Sequence, residues 1–233
     1  MTDHNKLTPV LPSGIYGITA EKFSGGRTNV EVAQAMIAGG IRIIQYREKR
    51  PAKNFSGMLA ECRQIRRITR EAGVLLIIND YVDIAQMVDA DGVHVGQDDF
   101  PVAAVRKLIG PGKIIGLSTH SPEQAAAAVL AGADYIGVGP IFSTTTKEDV
   151  CAPVGLEYLD HVVRTCPLPF VAIGGIKEHH LEQIIRHGAK TICLVTEIVG
   201  ATDITATVRR LQAAGCRLQD RMLSSPEQSF LLK

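Results

Sequence analysis

Leu75-Leu76-Ile77-Ile78-Asn79-Asp80 and Gly92-Val93-His94-Val95-Gly96-Gln97-Asp98-Asp99 decide how this chain is read. Each is a short, nearly continuous apolar run that ends abruptly in polar and acidic side chains. Neither shows the alternation of a strand with one face in water. Strands of a parallel sheet covered by helices read this way, because both of their faces are buried. Working outward, similar runs recur at Ile15–Thr19, Ile41–Tyr46, Ile114–Ser118, Tyr135–Val138, Phe170–Ile173 and Thr191–Val195. Helical segments separate them, among them Ala60–Arg70, Glu123–Leu130, His179–Arg186 and Thr205–Ala214. Gly39-Gly40, Gly73, Gly132 and Gly188 stand just past a helix, where a chain leaves in the left-handed conformation. Eight such β–α units in 233 residues predict a single α/β domain, a (β/α)₈ TIM barrel. An open doubly wound sheet is the alternative. No Gly-x-Gly-x-x-Gly follows the first run and no Gly-x-x-x-x-Gly-Lys-Ser/Thr occurs, which disfavours it. The barrel is expected over residues 14–217, with an extension at 1–13 and a polar tail at 218–233 that is frayed or loosely docked.

Composition narrows the function classes. Lys+Arg number 25 against 24 Asp+Glu, a net charge of +1 that lacks the basic excess of a nucleic-acid binder. No apolar run reaches the length of a membrane span, and the polar stretch Met1–Pro12 has no signal-peptide core. A cytoplasmic protein is expected. The odd set Cys62, Cys151, Cys166, Cys193 and Cys216, with no Cys-x-x-Cys, suits reduced thiols better than disulfides or zinc.

A barrel carries its functional side chains at the C-terminal ends of its strands, and nearly every candidate strand here ends in polar residues. Gln45, Arg47 and Lys49 share one face of the extended segment Gln45-Tyr46-Arg47-Glu48-Lys49, an anion clamp if that face points to the barrel mouth and a solvated strand end if not. Asn79-Asp80 and Asp98-Asp99 either cap the following helices or bring carboxylates together from adjacent strands. Asp80 and Asp99 so placed would form a magnesium site, since magnesium takes one or two carboxylates together with phosphate oxygens. Ser118-Thr119-His120-Ser121 should cap the next helix through one hydroxyl. The loop Ser143-Thr144-Thr145-Thr146-Lys147 offers hydroxyls and a cation to a phosphate, Gly174-Gly175 offers backbone N–H groups, and Val195-Thr196 ends the last strand. His94 lies inside a strand run, where an inward histidine is expected to be a satisfied core residue.

These segments, with Ala90-Asp91-Gly92-Val93-His94-Val95-Gly96-Gln97-Asp98-Asp99, Gly116-Leu117-Ser118-Thr119-His120, Gly137-Val138-Gly139-Pro140-Ile141-Phe142 and Ile173-Gly174-Gly175-Ile176, resemble the thiamine-phosphate synthase family in one collinear order from about Gly14 to Asp203. The resemblance implies a (β/α)₈ barrel transferase. It would join 4-amino-2-methyl-5-(diphosphomethyl)pyrimidine to 4-methyl-5-(2-phosphoethyl)thiazole, or the thiazole's carboxylated precursor, giving thiamine phosphate and diphosphate. It assigns Gln45, Tyr46, Arg47, Glu48, Lys49, Asn79, Ser118 and Lys147 to the pyrimidine diphosphate, with Arg47, Lys49, Ser118 and Lys147 aiding the chemistry. It assigns Asp80 and Asp99 to Mg²⁺, and Thr144, Thr145, Thr146, Gly175, Val195 and Thr196 to the thiazole phosphate. Thr196 departs from an expected Ser but keeps the hydroxyl. Only small-molecule partners are implied, and a homo-oligomer is compatible with the sequence. A related barrel that isomerises a thiazole carboxylate phosphate, and a non-catalytic sensor of thiamine precursors, are the other readings. Neither needs the full set of cations and carboxylates present here.

Overall fold

The computed structural model describes residues 11–144, 146 and 151–224, with side chains as far as residue 221. Nine parallel strand segments form one sheet: β1 Gly14–Ile15, β2 Gly17–Ile18, β3 Ile43–Tyr46, β4 Leu75–Asn79, β5 Gly92–Val95, β6 Ile114–Thr119, β7 Tyr135–Val138, β8 Phe170–Ala172 and β9 Thr191–Ile192. Their order is β1-β9-β8-β7-β6-β5-β4-β3-β2. β1 and β2 are two halves of one strand, parted at Tyr16. One half pairs with β9 and the other with β3, and this split closes the eight-stranded barrel. The first strand was expected unbroken over Ile15–Thr19. A strand that serves two neighbours at the seam must shift its hydrogen bonds from one to the other, and Tyr16 makes that shift with its N–H on the Ile192 carbonyl at 2.9 Å.

The helices are α1 Asn29–Ala38, α2 Phe55–Ala72, α3 Val82–Met87, α4 Val102–Ile109, α5 Pro122–Ala131, α6 Gly155–Thr165, α7 Leu181–Arg186, α8 Val195–Val199 and α9 Ile204–Ser224. Their ends follow local chemistry. Thr28 and Glu31 form a reciprocal capping box on α1, Asn54 Oδ1 accepts from Gly57 N at 2.8 Å to start α2, and Ser121 caps α5 ahead of Pro122. Gly73 and Gly132 end their helices with left-handed φ of 66° and 79°. Three expectations differ. Thr191–Val195 is strand only as far as Ile192, and Val195-Thr196 opens α8 instead. His179 and His180 sit in a 3₁₀ turn before α7, with His180 stacked on Phe142 at 4.0 Å. The last helix runs on to Ser224, past Leu218, which packs against the outer core. The first residues of the expected tail thus continue the helix and dock on the barrel, and the rest of it lies outside the described residues.

Two apolar layers hold the barrel. Tyr16, Ile18, Ile43, Ile77, Ile114, Tyr135, Val171 and Cys193 point inward and fill its interior. The alternate residues of the same strands, such as Ile44, Ile78, Val93 and Ile136, pack outward against the helices. At the N-terminal end of the barrel the same bracing recurs. Asp91 takes a bidentate pair from Arg66 at 2.7 and 3.1 Å and the N–H of Leu76. Asp134 takes Arg106 and the N–H of Ile115. Both tie a helix to two neighbouring strands, leaving the opposite end to carry function.

Candidate active site

The inward alternation continues to the C-terminal ends of the strands, where apolar residues give way to polar ones. Gln45 on β3 and Arg47 just after it, Asn79 on β4, His94 on β5 and Ser118 on β6 line one side of a cavity of about 260 Å³. Thr144, Thr146, Gly174, Gly175, Lys177, Val195 and Thr196 line the other. Thr145 and Lys147 lie outside the described residues.

Neither Asn79 nor Asp80 caps a helix. Asn79 ends β4 buried toward the cavity, while α3 begins after Tyr81 with no side-chain cap. Asp80 has φ +63°, a left-handed conformation that Asp tolerates better than most residues, and its N–H donates to the His94 carbonyl at 2.8 Å. Its carboxylate meets Lys49 Nζ at 2.8 Å and lies within interaction range of Asp99. Burial raises the Asp80 pKa; Lys49 pulls against that rise and Asp99 adds to it. Asp99 in turn accepts from Gly96 N at 2.7 Å. Adjacent strand ends thus set two carboxylates side by side with one ammonium. That donor set fits magnesium completed by phosphate oxygens. Among the described residues no cluster of three or more His, Cys, Asp or Glu offers an all-protein cage.

The side chains of Tyr46 and Glu48, expected against the pyrimidine diphosphate, turn away from the cavity. They occupy the outward positions of the segment that sends Gln45 and Arg47 inward, so they face α1 and α2. Tyr46 is fully buried and donates to Glu61 at 2.7 Å, while Glu48 accepts from Asn29 at 3.0 Å. Lys53 completes this network, donating to Glu61 at 2.5 Å and Glu21 at 2.6 Å. Burial would raise Glu61, yet the bonds from Lys53, Tyr46 and Asn29 hold its pKa below the usual value. The network braces the chain on either side of Arg47 and Lys49 and lines no part of the cavity.

The hydroxyl side rests on two touching loops. Ile141 and Phe142 donate to the carbonyls of Ile173 and Gly174 at 3.0 and 2.9 Å. Gly175 has φ +65°, and a Cβ there would lie 2.4 Å from the Ser143 carbonyl oxygen. Only glycine lets the backbones pass so closely. Thr144 and Thr146 share a hydroxyl contact of 3.0 Å. Thr196 Oγ1 accepts from Lys177 at 3.1 Å, and the same ammonium pairs with Glu197 at 3.0 Å.

Sequence reasoning missed Lys177, whose only signal was its place after the paired glycines. It also missed Tyr16 and Tyr135, which reach into the cavity from the barrel interior. His94 is inward and satisfied as expected, though its partners are Tyr135 and the site residue Ser118.

A family model described as thiamine monophosphate synthase matches residues 15–198. The thiamine-phosphate synthase of Pelotomaculum thermopropionicum is 59% identical over 221 residues, covering 94% of this chain and 100% of that protein. That of Caldicellulosiruptor saccharolyticus is 51% identical over 211 residues, covering 91% and 95%. Among solved structures, thiamine phosphate pyrophosphorylase from Pyrococcus furiosus superposes with a TM-score of 0.80 at 32% identity, covering 88% of this chain and 96% of that one. With the closed barrel and its two-sided mouth already in place, these matches put the chain in the thiamine monophosphate synthase family.

Proposed function

We propose that this chain condenses 4-amino-2-methyl-5-(diphosphomethyl)pyrimidine with 4-methyl-5-(2-phosphoethyl)thiazole to give thiamine phosphate and diphosphate, or with the carboxylated precursor of that thiazole to give the same products and carbon dioxide. The observation that supports this is one cavity with two chemically unlike sides, Gln45, Arg47, Asn79 and Ser118 facing Thr144, Thr146, Gly175 and Thr196. The amide and guanidinium side, with the Asp80 and Asp99 carboxylates paired on the neighbouring strand ends but outside the cavity lining, suits a metal-bound diphosphate. The threonine and glycine side suits a phosphate monoester.

The thiazole ring nitrogen carries no proton. It forms the new C–N bond with its own lone pair while the methylene C–O bond breaks, and diphosphate leaves with that electron pair. No base is required, so the site needs positioning and leaving-group electrostatics. Electron donation from the pyrimidine amino group lets C–O cleavage run ahead of attack. Magnesium held by Asp80 and Asp99 supplies neutralisation of charge on the diphosphate oxygens. Arg47 offers a planar fork to those oxygens and Lys49 a mobile point charge. Lys147 keeps the diphosphate role that the sequence resemblance gives it. Asn79 and Gln45 orient the pyrimidine, and Ser118 donates to the leaving group. Gly175, the Thr144 and Thr146 hydroxyls, Val195 and Thr196 hold the thiazole phosphate, with Lys177 adding a cation. We place the reaction in the cytoplasm.

Purified protein, mixed with both substrates with and without magnesium, tests the reading by fluorescence of oxidised thiamine phosphate. Product that requires magnesium supports it. No product from folded protein, with turnover of a thiazole carboxylate phosphate instead, would replace coupling by isomerisation.

A further inference from the structure

A hydrogen-bonded relay crosses the barrel interior beneath the mouth. Gln45 Nε2 donates to Tyr16 OH at 3.0 Å, Tyr16 OH meets Tyr135 OH at 2.8 Å, Tyr135 OH meets His94 Nδ1 at 2.9 Å, and His94 Nε2 meets Ser118 Oγ at 2.9 Å. All five side chains are buried, and both ends of the relay line the cavity. The sheet makes room for it. Register aligns His94 with Gly116 and Gly116 with Tyr135 across β5, β6 and β7. A Cβ on Gly116 would lie 2.2 Å from Tyr135 Cζ and 2.4 Å from His94 Nδ1. The glycine is the gap through which the phenol reaches the imidazole.

We propose that this relay has a single polarity, which presents Gln45 Oε1 to the cavity as an acceptor and the Ser118 O–H as a donor, with Tyr16, Tyr135 and His94 as positioning residues. The proposal rests on the reading of this side as the pyrimidine diphosphate site. Each phenol has one proton, so direction propagates. With the Gln45 amide nitrogen donating, the Tyr16 oxygen accepts and its proton goes to Tyr135. The Tyr135 proton goes to His94 Nδ1, so the neutral imidazole carries its hydrogen on Nε2 and donates to Ser118 Oγ. The serine proton is then left for the cavity. The reverse polarity turns the Gln45 N–H toward the pyrimidine's own amino group and a serine lone pair toward an anion, mismatched at both ends. In the proposed direction, charge that grows on the amino group meets the Gln45 carbonyl, and charge that grows on diphosphate meets the Ser118 proton. Bonds pointing one way along such a relay reinforce one another.

Two readouts test this. In ligand-free protein labelled with ¹⁵N-histidine, the resonance pair lost in His94→Gln identifies His94. The expected tautomer has Nε2 protonated and Nδ1 bare, and an Nδ1–H tautomer would overturn the polarity. In the coupling assay, Tyr135→Phe should lower kcat about tenfold, the worth of one buried hydrogen bond, with KM for the thiazole phosphate unchanged. Tyr158→Phe removes a buried phenol that donates to Thr119 at 2.7 Å outside the relay and should leave kcat unchanged. A folded Tyr135→Phe protein with wild-type kcat overturns the proposal. If that variant does not fold, the tautomer alone decides. The tautomer needs no substrate, so wild-type protein that fails to couple refutes the functional reading separately.

Discussion

Replacing Gly116 by alanine should damage both the barrel and its site. Gly116 lies in β6, and its φ is not in the left-handed region, so alanine meets no backbone strain there. The obstacle is space: the added methyl would sit 2.2 Å from Tyr135 Cζ and 2.4 Å from His94 Nδ1. Tyr135 is 1% exposed and held by Tyr16 and His94, so its ring cannot swing away without breaking buried hydrogen bonds. Overpacking a core costs about 1–3 kcal/mol, and each buried hydrogen bond lost adds about 1 kcal/mol. Removing glycine's backbone freedom returns about 0.5–1 kcal/mol. The net loss is about 2–4 kcal/mol, which for a domain of this size lowers Tm by roughly 4–16 °C. Urea unfolding gives the free energy, and the coupling assay below the new Tm should show reduced kcat. A Gly116→Ala protein within about 0.5 kcal/mol of wild type, with normal kcat, would refute the packing argument and the relay together.

Asp80→Asn should raise Tm in magnesium-free buffer near neutral pH and abolish any rise that magnesium brings, as read by differential scanning fluorimetry. The sign follows from the raised Asp80 pKa. An ionised group that burial disfavours subtracts stability as pH climbs through its folded pKa, and a neutral amide escapes that loss. Lys177→Ala should raise KM for the thiazole phosphate about twofold to fivefold at low salt with kcat unchanged, since it removes one partly exposed cation. Tyr46→Phe should cost about 1–2 kcal/mol in urea unfolding through the lost bond to Glu61, with both KM values unchanged. A large KM effect there would restore Tyr46 to the binding site.

The fold was readable because burial on both faces imprints itself on each strand separately. Leu75–Asn79, Gly92–Val95 and Tyr135–Val138 are observed with the expected bounds. What failed was set by neighbours. The break at Tyr16 exists because one strand must serve both edges of the seam. The early end of β9 lets Val195 begin a helix that no local residue announces. In the candidate site, the inward set Gln45, Arg47, Asn79 and Ser118 follows from alternation and chain position. Applied to Tyr46 and Glu48, the same alternation turns their side chains away from the mouth, where only the motif resemblance places them. Lys177, Tyr16 and Tyr135 were not legible. Their roles depend on cross-barrel distances and on the space left by Gly116, which no single segment encodes.

The most direct test of the two-sided mouth is a crystal structure of the protein with thiamine phosphate, diphosphate and magnesium. The account predicts diphosphate and metal against Asp80, Asp99, Arg47 and Lys49, with Gln45 Oε1 facing the pyrimidine amino group. It places the thiamine phosphate monoester on the Gly175 and Thr196 backbone. A monoester bound beside Asp80 and Asp99, or ligands outside this cavity, would contradict it.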